Sequence, residues 1–275
     1  MKLSDAALLV VAFVWGLTFV VVKESLSFIS PFKFLFFRFF LSFILLLLIS
    51  AKKLRNIDMN IIKYGMLIGI FLFCGYGFQT VGLQYTTPAN AGFITGLFVV
   101  MVPFLEIIIH KKKPGSYSFV GVLCATVGLF FLSFEKLQMN YGDFLIVLSA
   151  FSFALHIVAV GKYAPLYDPV LLTVIQIGMV ALLSFFLSVD QEFVINTVVL
   201  EALIITSLFA TVMATLVQNM AQRHTPPTRT AIIFATEPVF AALCSYILIH
   251  EVFTLQKIAG CLLILVGMII AEVKK

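Results

Sequence analysis

Residues Gln79–Pro88 read QTVGLQYTTP, and residues Gln218–Pro227 read QNMAQRHTPP. They share a glutamine, a threonine and a proline at one spacing, 139 residues apart. The same offset pairs Lys23 with Lys162, Gly121 with Gly260 and Gly128 with Gly267, with no gap between them. Six identities at one offset, prolines and glycines among them, mark an internal duplication. Its copies are expected at residues 4–134 and 142–272.

The solvent of these copies follows from composition. Hydrophobic residues make up 62% of the chain, Phe alone numbers 30, and charged residues reach only 11%. Soluble domains carry about 25% charged residues, so a chain this poor in charge cannot cover a globular surface with solvated groups. Lipid must do so. A bilayer core takes roughly 20 apolar residues per helix. Apolar stretches of that order fall at 4–22, 32–50, 63–82, 90–110, 117–134, 142–160, 169–188, 198–218, 229–249 and 256–272. Proline is tolerated in the first turn of a helix and not in its interior, so Pro31 and Pro169 read as the starts of spans two and seven. The first stretch runs into Val20-Val-Val-Lys23-Glu24 with no small-residue cleavage site, and reads as a retained helix, not a signal peptide.

Lys and Arg favour cytoplasmic loops. With the N-terminus inside, thirteen of the 18 basic residues lie on the cytoplasmic side, four outside, and Arg38 within span two. Both termini are therefore expected in the cytoplasm. The net charge of +5 is then a topology signal, and with no solvated basic domain nucleic acid is not an expected partner. Each copy holds five spans, an odd number, so the second must enter the membrane from the opposite side. The expected fold is an all-α integral membrane protein, ten transmembrane helices in two inverted five-helix repeats. Inverted repeats are a construction of secondary transporters, with substrate near the midplane between the repeats.

Ala12-Phe-Val-Trp15-Gly16-Leu-Thr18-Phe-Val resembles the first helix of EamA-type proteins of the drug/metabolite transporter superfamily. So do QYTTPANAGFITGLFVVMVP at 84–103, Ala235-Thr-Glu237-Pro238-Val-Phe-Ala-Ala, His250-Glu251 and the run from Gly260 to Gly267. The resemblance covers the chain as two EamA units. It implies movement of amino acids, other metabolites or drugs, efflux more than uptake, and no enzymatic activity. Glu106 departs from it, standing where a small or apolar residue is expected.

Ionisable groups at membrane depth cost at least about 2.5–3.5 kcal/mol at a helix centre and tend to face partners or cavities. Arg38, Glu106, His156 and Glu237 are the charge-bearing candidates. Glu237 directly precedes Pro238, whose missing N–H should disturb the helix. Freed carbonyls with a carboxylate suit a cation or proton, although a glutamate bonded to a neighbouring helix fits the same sequence. Pro103 is the analogous helix break in span four, with Glu106 expected to snorkel towards the cytoplasmic Lys111–Lys113 cluster. Arg38 reads as an anchor for a substrate carboxylate or as an interfacial arginine, and His156 as a proton relay or a packed histidine.

Gln79, Gln218 and Asn219 offer amides for polar substrate groups or for helix–helix bonds. Trp15, the sole tryptophan, lies mid-helix and not at an interface, which suits a cavity wall. Tyr76 and Phe93 are further wall candidates. Gly65-Met-Leu-Ile-Gly69 and Gly92-Phe-Ile-Thr-Gly96 are GxxxG patterns for close helix packing. Spans five and ten are nearly free of intramembrane polar groups and read as peripheral supports.

Cys74, Cys124, Cys244 and Cys261 stand alone in apolar runs, so no metal site is expected. No phosphate loop, HExxH or GxSxG occurs, and no cofactor is implied. The reading is a secondary transporter of small polar metabolites in the cytoplasmic membrane. The bilayer, a small-molecule substrate and a proton or ion are its partners, as a monomer or homodimer. The rival is an intramembrane enzyme acting on lipid-linked substrates.

Overall fold

The computed structural model describes residues 3–111, 113–133, 140–189, 194–241, 243 and 254–272, and these are helical with short connections. The first repeat holds α1 (Leu3–Ser25), α2 (Pro31–Ser50), α3 (Met59–Tyr85), α4 (Pro88–Gly96), α5 (Phe98–His110) and α6 (Ser116–Ser133). The second holds α7 (Tyr141–Tyr163), α8 (Pro169–Ser188), α9 (Thr197–Ile205), a π-helical segment (Thr206–Met213), α10 (Ala214–Ala221), α11 (Pro227–Phe234) and α12 (Leu255–Glu272). Seven helices are long and apolar enough to cross a membrane, and two shorter apolar helices accompany them. Span nine enters as α11 and resumes as helix at 237–241. The rest of its expected course to 249, with Cys244 and His250-Glu251, lies outside the described residues.

The helix starts follow local chemistry. Pro31, Pro88, Pro169 and Pro227 each open a helix, where the missing N–H forfeits nothing and φ is pre-set. Asp58, Thr87, Asp168 and Asn196 cap the first turns of α3, α4, α8 and α9. Asn140 and Asp143 form a reciprocal capping box on α7, which ties up two of the amide groups a helix start leaves without partners.

The repeats are opposed, and two glycine contacts display it. A Cβ on Gly121 would sit 2.7 Å from the carbonyl oxygen of Gly267, and one on Gly128 would sit 2.7 Å from that of Gly260. The start of α6 therefore meets the end of α12. Gly121 and Gly260 are repeat mates, as are Gly128 and Gly267, so exchanging the copies turns one contact into the other. That is what a two-fold axis in the membrane plane requires. Spans two and seven also face one another: a Cβ on Gly178 of α8 would meet the ring of Phe43 of α2 at 2.7 Å. Gly65 and Gly69 of α3 lie against Ile175 and Met179 of α8 at a similar distance. The α6–α12 pair stays at the periphery.

Spans four and nine are each broken, at equivalent places. Span four turns at Leu97, between α4 and α5, and span nine turns at Ala235–Thr236. Leu97 and Thr236 are 139 residues apart. Neither break coincides with the proline expected to cause it. Pro103 lies inside the continuous helix α5, and Pro238 follows the break as the second residue of the resumed helix. There its missing N–H has no carbonyl to bond. Proline thus marks the restart of span nine, and the breaks belong to the duplicated backbone.

Candidate functional site

Residues flanking the breaks, Phe98, Phe234 and Glu237, line a crevice of about 690 Å³, counting its mouth, between the two repeats. Four repeat-mate pairs contribute both members to its wall: Thr18 with Ile157, Gln79 with Gln218, Thr95 with Phe234, and Phe98 with Glu237. A cavity built from such pairs lies on the pseudo-two-fold axis. It runs between a terminal face, where α1 starts, and a far face, where α1 ends. Val22 and Leu83 close the far-face end, and Gln218 and Ile157 the terminal-face end.

The framework is symmetric and its charges are not. Glu237 stands opposite its mate Phe98, Arg38 has Ile177 as mate, and Trp15 has Ala154. Trp15, Arg38, Tyr76, Gln79, His156, Gln218 and Glu237 all reach the crevice. Phe93 and Asn219 do not. Phe93 packs between two hydrophobic clusters, and the Asn219 amide donates to Thr173 Oγ1 at 2.7 Å. Asn219 is thereby a helix–helix tie between α10 and α8.

Arg38 is buried at 3% exposure and held on several sides. Its Nε donates to Thr211 Oγ1 at 2.8 Å and its Nη2 lies 3.5 Å from the Ala210 carbonyl. Its guanidinium carbon stands 4.5 Å from the centroid of the Tyr76 ring and 5.2 Å from that of Phe39. Thr211 and Ala210 belong to the π segment. A π turn widens the backbone and loosens the usual intrahelical pairing, and such turns gather at functional sites. Here the Ala210 carbonyl also accepts from Trp15 Nε1 at 2.9 Å. Ser207 Oγ donates to the Arg38 carbonyl at 3.1 Å, and Ser42 Oγ donates to the same oxygen at 2.7 Å. The π segment of one repeat thus fixes the cation of the other.

Glu237 is buried at 7% exposure in the crevice wall. Among the described residues its carboxylate has no hydrogen-bond or ion-pair partner. The ion pairs found there are Lys53–Asp168 and Arg229–Asp5, so Arg38 and Glu237 share one cavity without pairing. His156 Nε2 meets Gln176 Oε1 at 2.9 Å. Gln79 donates to Thr95 Oγ1 at 3.1 Å, and Gln218 to Gln222 Oε1 at 2.9 Å, so each mate is fixed within its own repeat.

Glu106 does not snorkel to the lysines. It is buried at 7% exposure and accepts from the Thr228 N–H at 3.0 Å and the Thr228 hydroxyl at 2.5 Å. The start of α11 presents amide groups without intrahelical partners, and this carboxylate from α5 satisfies one of them. The lysine cluster is separated from it by the end of α5. The wall residues not singled out from the sequence include Thr18, Thr80, Thr95, Phe98, Phe153 and Phe234. The offset of 139 carries part of that information, since it sends Glu237 to Phe98.

The family model of the EamA-like transporter family matches residues 2–134 and 140–272. An uncharacterized transporter of Archaeoglobus fulgidus is 38% identical over 273 residues, covering 98% of this chain and 86% of its own length. The uncharacterized transporter YyaM of Bacillus subtilis is 25% identical, covering 94% and 89%. A WAT1-related chloroplastic protein of Arabidopsis thaliana is 24% identical, covering 93% of this chain and 66% of its own. A crystal structure superposes with a TM-score of 0.79 over 98% of this chain and 96% of that one, at 14% identity, a likeness of fold. Membrane-length helices, a doubled family match and relatives named as transporters agree: this chain is a multi-pass membrane transporter and belongs to the EamA-like transporter family.

Proposed function

We propose that the protein is a secondary transporter that carries small zwitterionic metabolites, amino acids foremost, by alternating access. One observation carries this reading: Arg38 and Glu237 face a single buried crevice and do not neutralise each other. Isolated charges at membrane depth are costly, and a ligand bearing both a carboxylate and an ammonium offsets both. Arg38 takes the carboxylate, with its guanidinium pre-oriented by Thr211 and Tyr76. Glu237 takes the ammonium. Trp15, Phe98, Phe153 and Phe234 supply apolar wall for a side chain.

The same carboxylate supplies coupling. An ammonium and a proton are alternative ways to neutralise Glu237, so binding one releases the other. The repeats, residues 4–134 and 142–272, exchange conformations and expose the crevice to each face in turn. We place the protein in the cytoplasmic membrane with both termini inside, as the basic residues favour, and working as an exporter. The crevice charges stand apart from the polar cluster at the terminal face, whose members bond to one another. That supports transport over processing of a lipid-linked substrate.

The test is a ligand screen by thermal shift, followed by counterflow in proteoliposomes. An amino acid should stabilise the protein and exchange. Its decarboxylated amine and its N-acetyl derivative should each lose at least tenfold in apparent affinity. Equal binding of all three would overturn the two-charge site.

A further inference from the structure

Two hydrogen-bonded contacts join the repeats at opposite ends of the crevice; the pseudo-two-fold carries Thr86 onto Thr225 and Asp143 onto Ser4, the neighbour of Asp5, whose Oγ also lies 3.1 Å from Thr225 Oγ1. At the far face, Thr86 Oγ1 donates to Asp143 Oδ1 at 2.5 Å. At the terminal face, Thr225 Oγ1 donates to Asp5 Oδ1 at 3.0 Å. The threonines are repeat mates, 139 residues apart. Each sits at the corner between the third and fourth spans of its own repeat. Each carboxylate sits in the first turn of the other repeat's first helix, α7 or α1. All four side chains are buried, at 5% exposure or less.

We propose that Asp5 and Asp143 are paired gate carboxylates, each holding the crevice shut at one face and released in turn during transport. The proposal rests on the alternating-access reading above. Position supports it. Val22 and Leu83 end the crevice at the far face, and directly beyond them Lys23 donates to the carbonyls of Leu83 and Thr86 at 2.5 and 3.1 Å. Gln218 ends it at the terminal face, seven residues before the Thr225 corner. The chain leaving each corner is the half-helix that carries crevice wall: α4 with Thr95, α11 with Phe234. Freeing a corner therefore frees wall.

The two latches differ in their charges. Arg229 Nη2 pairs with Asp5 Oδ2 at 2.7 Å, whereas Asp143 accepts from the Asn140 N–H within its capping box at 3.1 Å. Both latches are made in this structure.

Removing one latch destabilises every state that needs it and leaves the state open on that face. The experiment uses a full-length variant without its native cysteines, carrying Thr80→Cys as a reporter in the crevice wall. The variant is reconstituted with known orientation and exposed to a membrane-impermeant maleimide from one face or the other. Asp5→Asn should raise labelling from the terminal face about tenfold, and Asp143→Asn should raise it from the far face. The double variant should return the ratio towards that of the parent. Thr225→Val and Thr86→Val remove the hydrogen bond and keep each carboxylate, and should shift labelling in the same two directions. They decide the matter if an Asn variant does not fold. Folded variants that leave the face ratio unchanged, or single variants that both favour one face, overturn the proposal. The labelling needs no ligand, so it separates from the transport reading. Absent counterflow sinks the substrate claim. Counterflow with unshifted labelling leaves transport standing and the latches as static ties.

Discussion

The indole nitrogen of Trp15 donates to the carbonyl of Ala210 at 2.9 Å, tying the middle of one repeat's first helix to the π segment of the other. Arg38 Nη2 reaches the same oxygen at 3.5 Å. The crevice cation and its aromatic wall are therefore both tied to the π segment.

Trp15→Phe keeps an aromatic body next to Phe234, whose ring centroid lies 4.9 Å from that of Trp15, and deletes the donor. A neutral hydrogen bond contributes about 0.5–1.5 kcal/mol. Thermal unfolding should show a loss of that size. Counterflow should fall more than stability does, because Arg38 loses a neighbour that shares its anchoring carbonyl.

Glu237→Gln should abolish coupled transport and leave the fold intact or slightly more stable. The carboxylate has no ion-pair partner among the described residues, and neutralising a buried charge removes a desolvation penalty. The measurement is pH-gradient-driven uptake beside an unfolding curve. Wild-type uptake by the variant would remove Glu237 from the mechanism.

Glu106→Ala should destabilise without altering ligand selectivity. It strands the amide and hydroxyl of Thr228 in a buried site, which costs about 1–3 kcal/mol per orphaned group. Glu106→Gln keeps an acceptor oxygen and should recover part of the loss. Unfolding curves for the two variants, with the thermal-shift ligand profile, check this.

Gly128→Val should damage the α6–α12 pair and spare the crevice. Even a Cβ there would meet the Gly260 carbonyl oxygen at 2.7 Å and Ile264 at 2.8 Å. Overpacking of this kind typically costs about 1–3 kcal/mol. Expression and unfolding temperature should drop, while protein that does fold should retain wild-type ligand affinity.

The chain's hydropathy and its repeat are properties of residues taken one at a time or at fixed spacing. They determined that the protein lives in lipid, that it is built from two copies, and that an odd number of spans sets the copies in opposition. Gln79 and Gln218 could be paired on paper for the same reason. Pro103 and Pro238 could be noticed, yet the breaks fall at Leu97 and Thr236, because the duplicated backbone turns there whichever residue follows. The destinations of polar groups belonged to the tertiary structure. Asn219 reads like Gln218 in sequence, but a turn of about 100° per residue carries it from the crevice to Thr173. Glu106 is five residues from Lys111 along the chain and still turns inward, since the start of α11 lies within hydrogen-bonding distance. Asp5 and Asp143 look like ordinary first-turn acids until docking of the repeats brings each to a threonine of the other. Hydrogen bonds between helices depend on how the helices are docked and rotated, and no local pattern in one helix records the face its neighbour will present.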